Sequence, residues 1–133
     1  MTSLRIQRSA DAVTEQEYGG SFRRILPWDS PGPSDTGMGI CTVAPGTVTT
    51  PHSHEDLEHF YVVRGSGVLI VDGERAEVGA GDAMVVGSMQ VHHFENGSAS
   101  EALELVSVWS MGEFGAREVG VNEVGAREFE ATE

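Results

Sequence analysis

The chain has 133 residues, of which 39% are hydrophobic and 22% charged, enough to bury one core and too few for two independent domains. A formal net charge of −13 opposes nucleic acid and anionic lipid, both of which need a basic face to neutralise them. Nowhere do eighteen apolar residues run together, and the opening "MTSLRIQRSADAV" lacks the apolar stretch of a secretory signal, so a cytoplasmic setting without a membrane partner is expected.

Seventeen glycines against five prolines, without a period, indicate many tight turns between short elements, the habit of an all-β domain. Residues 1 to 37 read as an irregular N-terminal segment, with "LRIQ" as an edge strand and "PWDSPGPSDTG" as a loop. From Met38 the pattern tightens. "GMGICTVAPG" reads as a strand ending in a Pro-Gly turn, "TVTTPHSH" as a β-branched continuation carrying an alternating His-x-His, and "EHFYVVRG" as a strand. "GVLIVDGERAEV" reads as a hairpin turning at Asp72-Gly73, a dipeptide suited to positive φ angles. "AMVVG", "VHHFENG" and "EALELVSVWS" complete about seven or eight strands over residues 38 to 110, and that spacing implies a sandwich or barrel. From Met111 the chain is rich in Gly and Glu and repeats "GAREVG" as "GAREFE". Two short copies cannot form a solenoid. This extension, residues 111 to 133, reads as a strand pair on a neighbouring subunit, a linker to a fused or partner domain, or an acidic tail. Cys41 is the single cysteine, which excludes an intramolecular disulfide and a thiolate zinc cluster and suits a small core residue.

"PHSHEDLEHFYVV" concentrates the chemistry. It is superficially similar to the helical zinc-protease motif, but His54 and His59 are five apart where one helix face needs four, and the inverted motif would need histidine at Glu55. In an extended chain His52 and His54 share a face. With "EDL" as a turn, Glu58 opens the next strand beside them, and Phe60 and Val62 continue inward on its parity. His59 and Tyr61 fall outside. Of the two remaining histidines, His92 and His93, only one can point inward, and periodicity leaves the choice open.

Gly46, His52, His54, Glu58 and Gly65 match every fixed position of G(x)5HxH(x)3-4E(x)6G, the first motif of the cupins, which this chain resembles over residues 38 to 110. Gly81, His92 and Asn96 fall at the separations of the second motif, G(x)5PxG(x)2H(x)3N. Gly87 replaces its proline and Met89 its glycine, so the turn before the ligand strand is expected to be built differently and more loosely. The resemblance implies a double-stranded β-helix, a jelly-roll barrel that is commonly a homodimer, with one divalent metal held by His52, His54, Glu58 and His92. It selects His92 over His93.

Imidazole nitrogens with one carboxylate suit Fe, Zn, Mn, Ni or Cu, and the donors alone do not choose among them. Such a site keeps a net charge of about +1 and leaves room for a small-molecule substrate. The resemblance implies metal-dependent chemistry on a small organic molecule: dioxygenase-type first, then isomerase, lyase, cyclase or bond-forming chemistry, including N–N bonds. A non-catalytic metal- or ligand-binding module of a larger system is the reading from another class. Phe60, Val62 and Phe94 are expected in the pocket wall or the core, Met38, Met84, Met89 and Trp109 in core or rim. Glu58, Tyr61 and Glu104 are the candidates for acid–base work.

Overall fold

The computed structural model describes residues 6–26 and 36–110. Nine antiparallel strands follow one short 3-10 turn: β1 (Thr14–Glu17), β2 (Gly20–Leu26), β3 (Thr36–Val43), β4 (Leu57–Arg64), β5 (Ser66–Val71), β6 (Glu74–Gly79), β7 (Ala83–Val86), β8 (His92–Glu95) and β9 (Leu103–Ser110). They form a six-stranded sheet, β1-β2-β3-β9-β4-β7, and a three-stranded sheet, β6-β5-β8. This is the jelly-roll barrel implied by the family resemblance and consistent with the sandwich or barrel read from the strand spacing. Among the described residues no helix is long and apolar enough to cross a membrane.

Alternation decides which side chains enter the barrel. On β4, Phe60 and Val62 are buried while His59, Tyr61 and Val63 are exposed. On β9, Leu103, Leu105 and Ser107 are buried. Val43, Val62, Leu103 and Leu105 close one end of the barrel, where β3 pairs Val43 with Leu103 and β4 pairs Val62 with Leu105. The same ladders carry Gly37, Trp109 and Glu58 to the opposite end. The apolar core thus fills one end and leaves the other for polar groups.

Glycines at particular turns permit this path. The β5–β6 hairpin turns at Asp72 and Gly73, with φ of 50° and 88°, as the dipeptide predicts. Gly65 has φ +87°, and a Cβ there would lie 2.2 Å from the Ala102 carbonyl oxygen. No side chain fits.

Three features differ from the sequence reading. Residues 6–26 are not irregular chain: Ile6 and Gln7, the described half of "LRIQ", are outside any strand, and β1 and β2 form a hairpin that extends the large sheet through β3. "TVTTPHSH" makes isolated bridges, Val48 to Glu95 and His52 to His92, rather than a continuous strand. The turn before β8 is not loose. Met89 adopts the left-handed φ of 66° that the motif glycine would take, its N–H donates to the His54 carbonyl at 2.7 Å, and the Gly87 N–H donates to Gln90 Oε1 at 2.7 Å. Most of the 27–37 loop and the whole 111–133 extension, with its GARE repeat, lie outside the described residues.

Candidate metal centre

His52 and His92 are paired across an antiparallel bridge, each N–H donating to the other's carbonyl. His54 follows two residues after His52 and is fastened to the β8 side through the Met89 N–H. One ligand atom from each of the three histidines lies within 4.8 Å of the others.

Each ring is oriented by a backbone carbonyl. Nδ1 lies 2.9 Å from the Thr50 oxygen in His52, 3.2 Å from Asp56 in His54, and 2.8 Å from Gln90 in His92. A carbonyl only accepts, so every Nδ1 carries a proton; Nε2 is then the nitrogen a metal would take, with His54 Nε2 giving up the proton it donates to Glu58. Carbonyl partners of this kind set the tautomer of metal-ligating histidines. His92 is 2% exposed, and its Nε2 is a buried nitrogen without a hydrogen-bond partner. A buried polar atom left unpaired costs free energy, which a cation at Nε2 would offset.

Glu58 completes the donor set. Its Oε1 is 3.0 Å from His54 Nε2 and 3.6 Å from His92 Nε2, and its Oε2 accepts a 2.6 Å hydrogen bond from Ser107 Oγ. Burial would raise this carboxyl, but His54, His92 and Ser107 outweigh it and hold Glu58 well below the usual carboxylate range. Burial would lower His54, yet the Glu58 carboxylate raises it. Burial and neighbouring His92 push His52 down to about 4, keeping it neutral. Three Nε2 atoms, once His54 gives up its proton, and a carboxylate that stays ionised fit a divalent transition metal.

A cavity of about 580 Å³ opens beside these groups and is lined by Phe60 and Phe94 together with Tyr18, Phe22, Trp109 and Cys41. Burial, then the nearby Glu58 and Glu17 charges, pushes the Cys41 thiol up to about 12, which suits a packing role. Met84 packs against the core.

Other expected positions fall elsewhere. Val62 is fully buried in the apolar core and does not line the cavity. Tyr61 is 49% exposed on the outer face of β4. Glu104 alternates outward on β9 and pairs with Arg64 at 2.9 Å. Neither reaches the cavity. His59 is exposed, and His93 sits 3.7 Å from Glu95 rather than in the histidine cluster. Asn96 is buried and donates to the Val43 and Glu101 carbonyls, tying β8 to its neighbours.

Sequence reasoning passed over Tyr18, Asp56 and Ser107. Tyr18 stacks flat on His52, with centroids 3.7 Å apart and planes 2° apart, from a backbone φ of 50°. Only the Tyr18-Gly19 dipeptide, a turn signal between two polar runs, could have drawn notice to it. Asp56 lines the cavity between His54 and Glu58.

An antiparallel barrel with three imidazoles and a carboxylate at its open end, a set that could hold a metal ion, is a β-barrel of the cupin type. Residues 39–109 match the Cupin domain family model, and the chain belongs to that family. It is 34% identical over 95 residues, 71% of its own length and 63% of the relative's, to the tetracenomycin polyketide synthase protein TcmJ of Streptomyces glaucescens. It is 31% identical to the dimethylsulfoniopropionate lyase DddW of Ruegeria pomeroyi over 55% of this chain and 49% of that one. The chain therefore spans about half to under two thirds of these relatives' length. The solved polyketide cyclase RemF from Streptomyces resistomycificus shares the fold, with a TM-score of 0.71 over 98% of this chain and 88% of that chain at 24% identity.

Proposed function

We propose that this protein is a metal-dependent enzyme that moves a proton next to a carbonyl of a small unsaturated molecule, as in a cyclisation, isomerisation or elimination. The observation that carries this reading is the convergence of three Nε2 atoms and the Glu58 carboxylate on an aromatic-walled cavity. His52, His54, His92 and Glu58 would hold the metal, which when bound supplies Lewis-acid polarisation of a substrate oxygen. Phe60 and Phe94, edge to face with centroids 5.1 Å apart, form an apolar wall that excludes water and orients a flat substrate. Asp56, on the same cavity, is placed to take up and return the proton; Glu58 is committed to His54 and Ser107. This assignment takes the place of Tyr61 and Glu104.

The names of a polyketide synthase protein, a lyase and a polyketide cyclase among the relatives support non-oxidative chemistry over the dioxygenase chemistry expected first from the family resemblance. The deciding experiment is elemental analysis of protein purified without added metal, followed by incubation with aromatic 1,3-dicarbonyl compounds in D2O. Deuterium incorporation at the α carbon that depends on metal, is lost in Asp56→Asn and consumes no oxygen is the expected result. Stoichiometric oxygen uptake would replace this reading with an oxygenase. Metal binding without exchange or oxygen uptake would leave the non-catalytic module.

A further inference from the structure

On the cavity face of β3 the sequence places two glycines where a strand interior would favour side chains. Both make way for rings. A Cβ on Gly37 would lie 2.3 Å from Trp109, and one on Gly39 would lie 2.4 Å from Phe22. The two aromatic rings therefore lie directly across the β3 backbone, 5.8 Å apart and tilted by 47°. Arg24, paired with Gly39 in the β2–β3 ladder, lays its guanidinium 5.3 Å from each ring centroid.

A guanidinium carries its N–H donors around its edge, in a fork that matches a carboxylate. Arg24 lines the cavity and is 42% exposed at its rim; its acidic neighbour Glu17 is 3.7 Å away, too long for a hydrogen bond. Among the described residues that line the cavity, Arg24 is the one Lys or Arg, against the acids Glu17, Asp56 and Glu58. In a chain of net charge −13, a planar cation beside two aromatic rings at a cavity entrance is an arrangement suited to a planar anion.

Resting on the function proposed above, we infer that the substrate is a flat, unsaturated carboxylate and that Arg24 is the residue that selects it. The carboxylate takes the fork of N–H donors at the rim, displacing Glu17, while the unsaturated body lies along Phe22 and Trp109 toward the metal ligands. Arg24 is thus a specificity-determining residue on an element, the β1–β2 hairpin, that lies ahead of both family motifs.

The test is calorimetric titration of the full chain, metal-loaded and metal-free, with 6-hydroxy-2-naphthoate and its neutral carboxamide. Wild type is expected to prefer the acid. Arg24→Gln should weaken acid binding on the order of tenfold or more while changing amide binding less than about twofold. Arg24→Lys should recover only part of the loss, because it keeps the charge without the fork, and Glu17→Gln should tighten the acid. Equal loss of acid and amide in Arg24→Gln, or a wild type indifferent to the carboxylate, would overturn the inference. Proton exchange is scored separately. An Arg24-dependent acid preference without exchange keeps the anchor and sinks the chemistry. Exchange with an acid preference that ignores Arg24 does the reverse.

Discussion

Ser107→Ala removes one oxygen atom and should weaken the metal site without touching a metal ligand. Ser107 is fully buried on β9, and its Oγ donates to Glu58 Oε2 at 2.6 Å, while Glu58 Oε1 faces His54 and His92. The serine thereby fixes the rotation of the carboxylate that the histidines share. Its removal leaves a buried anionic oxygen without that donor, a loss of about 1.5–3 kcal/mol for a hydrogen bond to a charged group. Partners that orient metal ligands typically account for about 10- to 100-fold in affinity, so the metal dissociation constant should rise by that factor. A pH effect accompanies it. The folded-state pKa of Glu58 is depressed below its ordinary value of 4.5, so its contribution to stability is present above that pH and is lost as pH falls below it. Without Ser107 the depression shrinks, and the acid-side loss with it. Competition against a chromophoric chelator at neutral pH gives the first quantity, and urea melts of metal-free protein from pH 7 to 3 give the second. A metal affinity within about twofold of wild type, with superimposable acid profiles, would refute the role given to Ser107.

Met89→Gly should stabilise the protein by up to about 1 kcal/mol in urea melts, because a non-glycine residue at φ 66° carries left-handed strain; destabilisation would show that the Met89 side chain outweighs it. Gly65→Ala should lose more than about 2 kcal/mol or fail to fold, since its Cβ would meet backbone at 2.2 Å at a φ of +87°; a midpoint like that of wild type would contradict the geometry. His52, with its pKa lowered from 6.5 to about 4, disfavours protonation in the folded state. Metal-free wild type should therefore lose stability relative to His52→Gln as pH falls from 6.5 toward 4, and parallel stability curves would contradict the burial of that ring.

Much of the barrel was legible because its inner and outer residues alternate. Phe60 and Val62 enter, His59 and Tyr61 leave, and Asp72-Gly73 turns where its positive φ angles require. His52 and His54 converge across one intervening residue, as an extended chain demands. The family motif was needed to choose His92 over His93, because that choice depends on the register of β8 against β5, which aligns His92 with Val71 and His93 with Ile70. The N-terminal hairpin was illegible for a physical reason. Its β1 sequence, "TEQE", has no apolar alternation and is held by pairing to β2 rather than by buried side chains. Arg24, which it brings to the cavity, therefore carried no signal, and Tyr18 none beyond its turn dipeptide with Gly19. Ser107 reads as an ordinary serine within an apolar strand, and only the ladder that sets β9 beside β4 gives it a partner in Glu58.

The most direct test of the metal centre is an anomalous difference map from a crystal of the metal-loaded protein, collected at the absorption edge of the ion found by elemental analysis. A single peak about 2.0–2.2 Å from Nε2 of His52, His54 and His92 and from a Glu58 carboxylate oxygen is expected, with each Nδ1 still bonded to its carbonyl. A peak elsewhere, or a metal-loaded protein in which His92 Nε2 bonds to another group, would contradict the account.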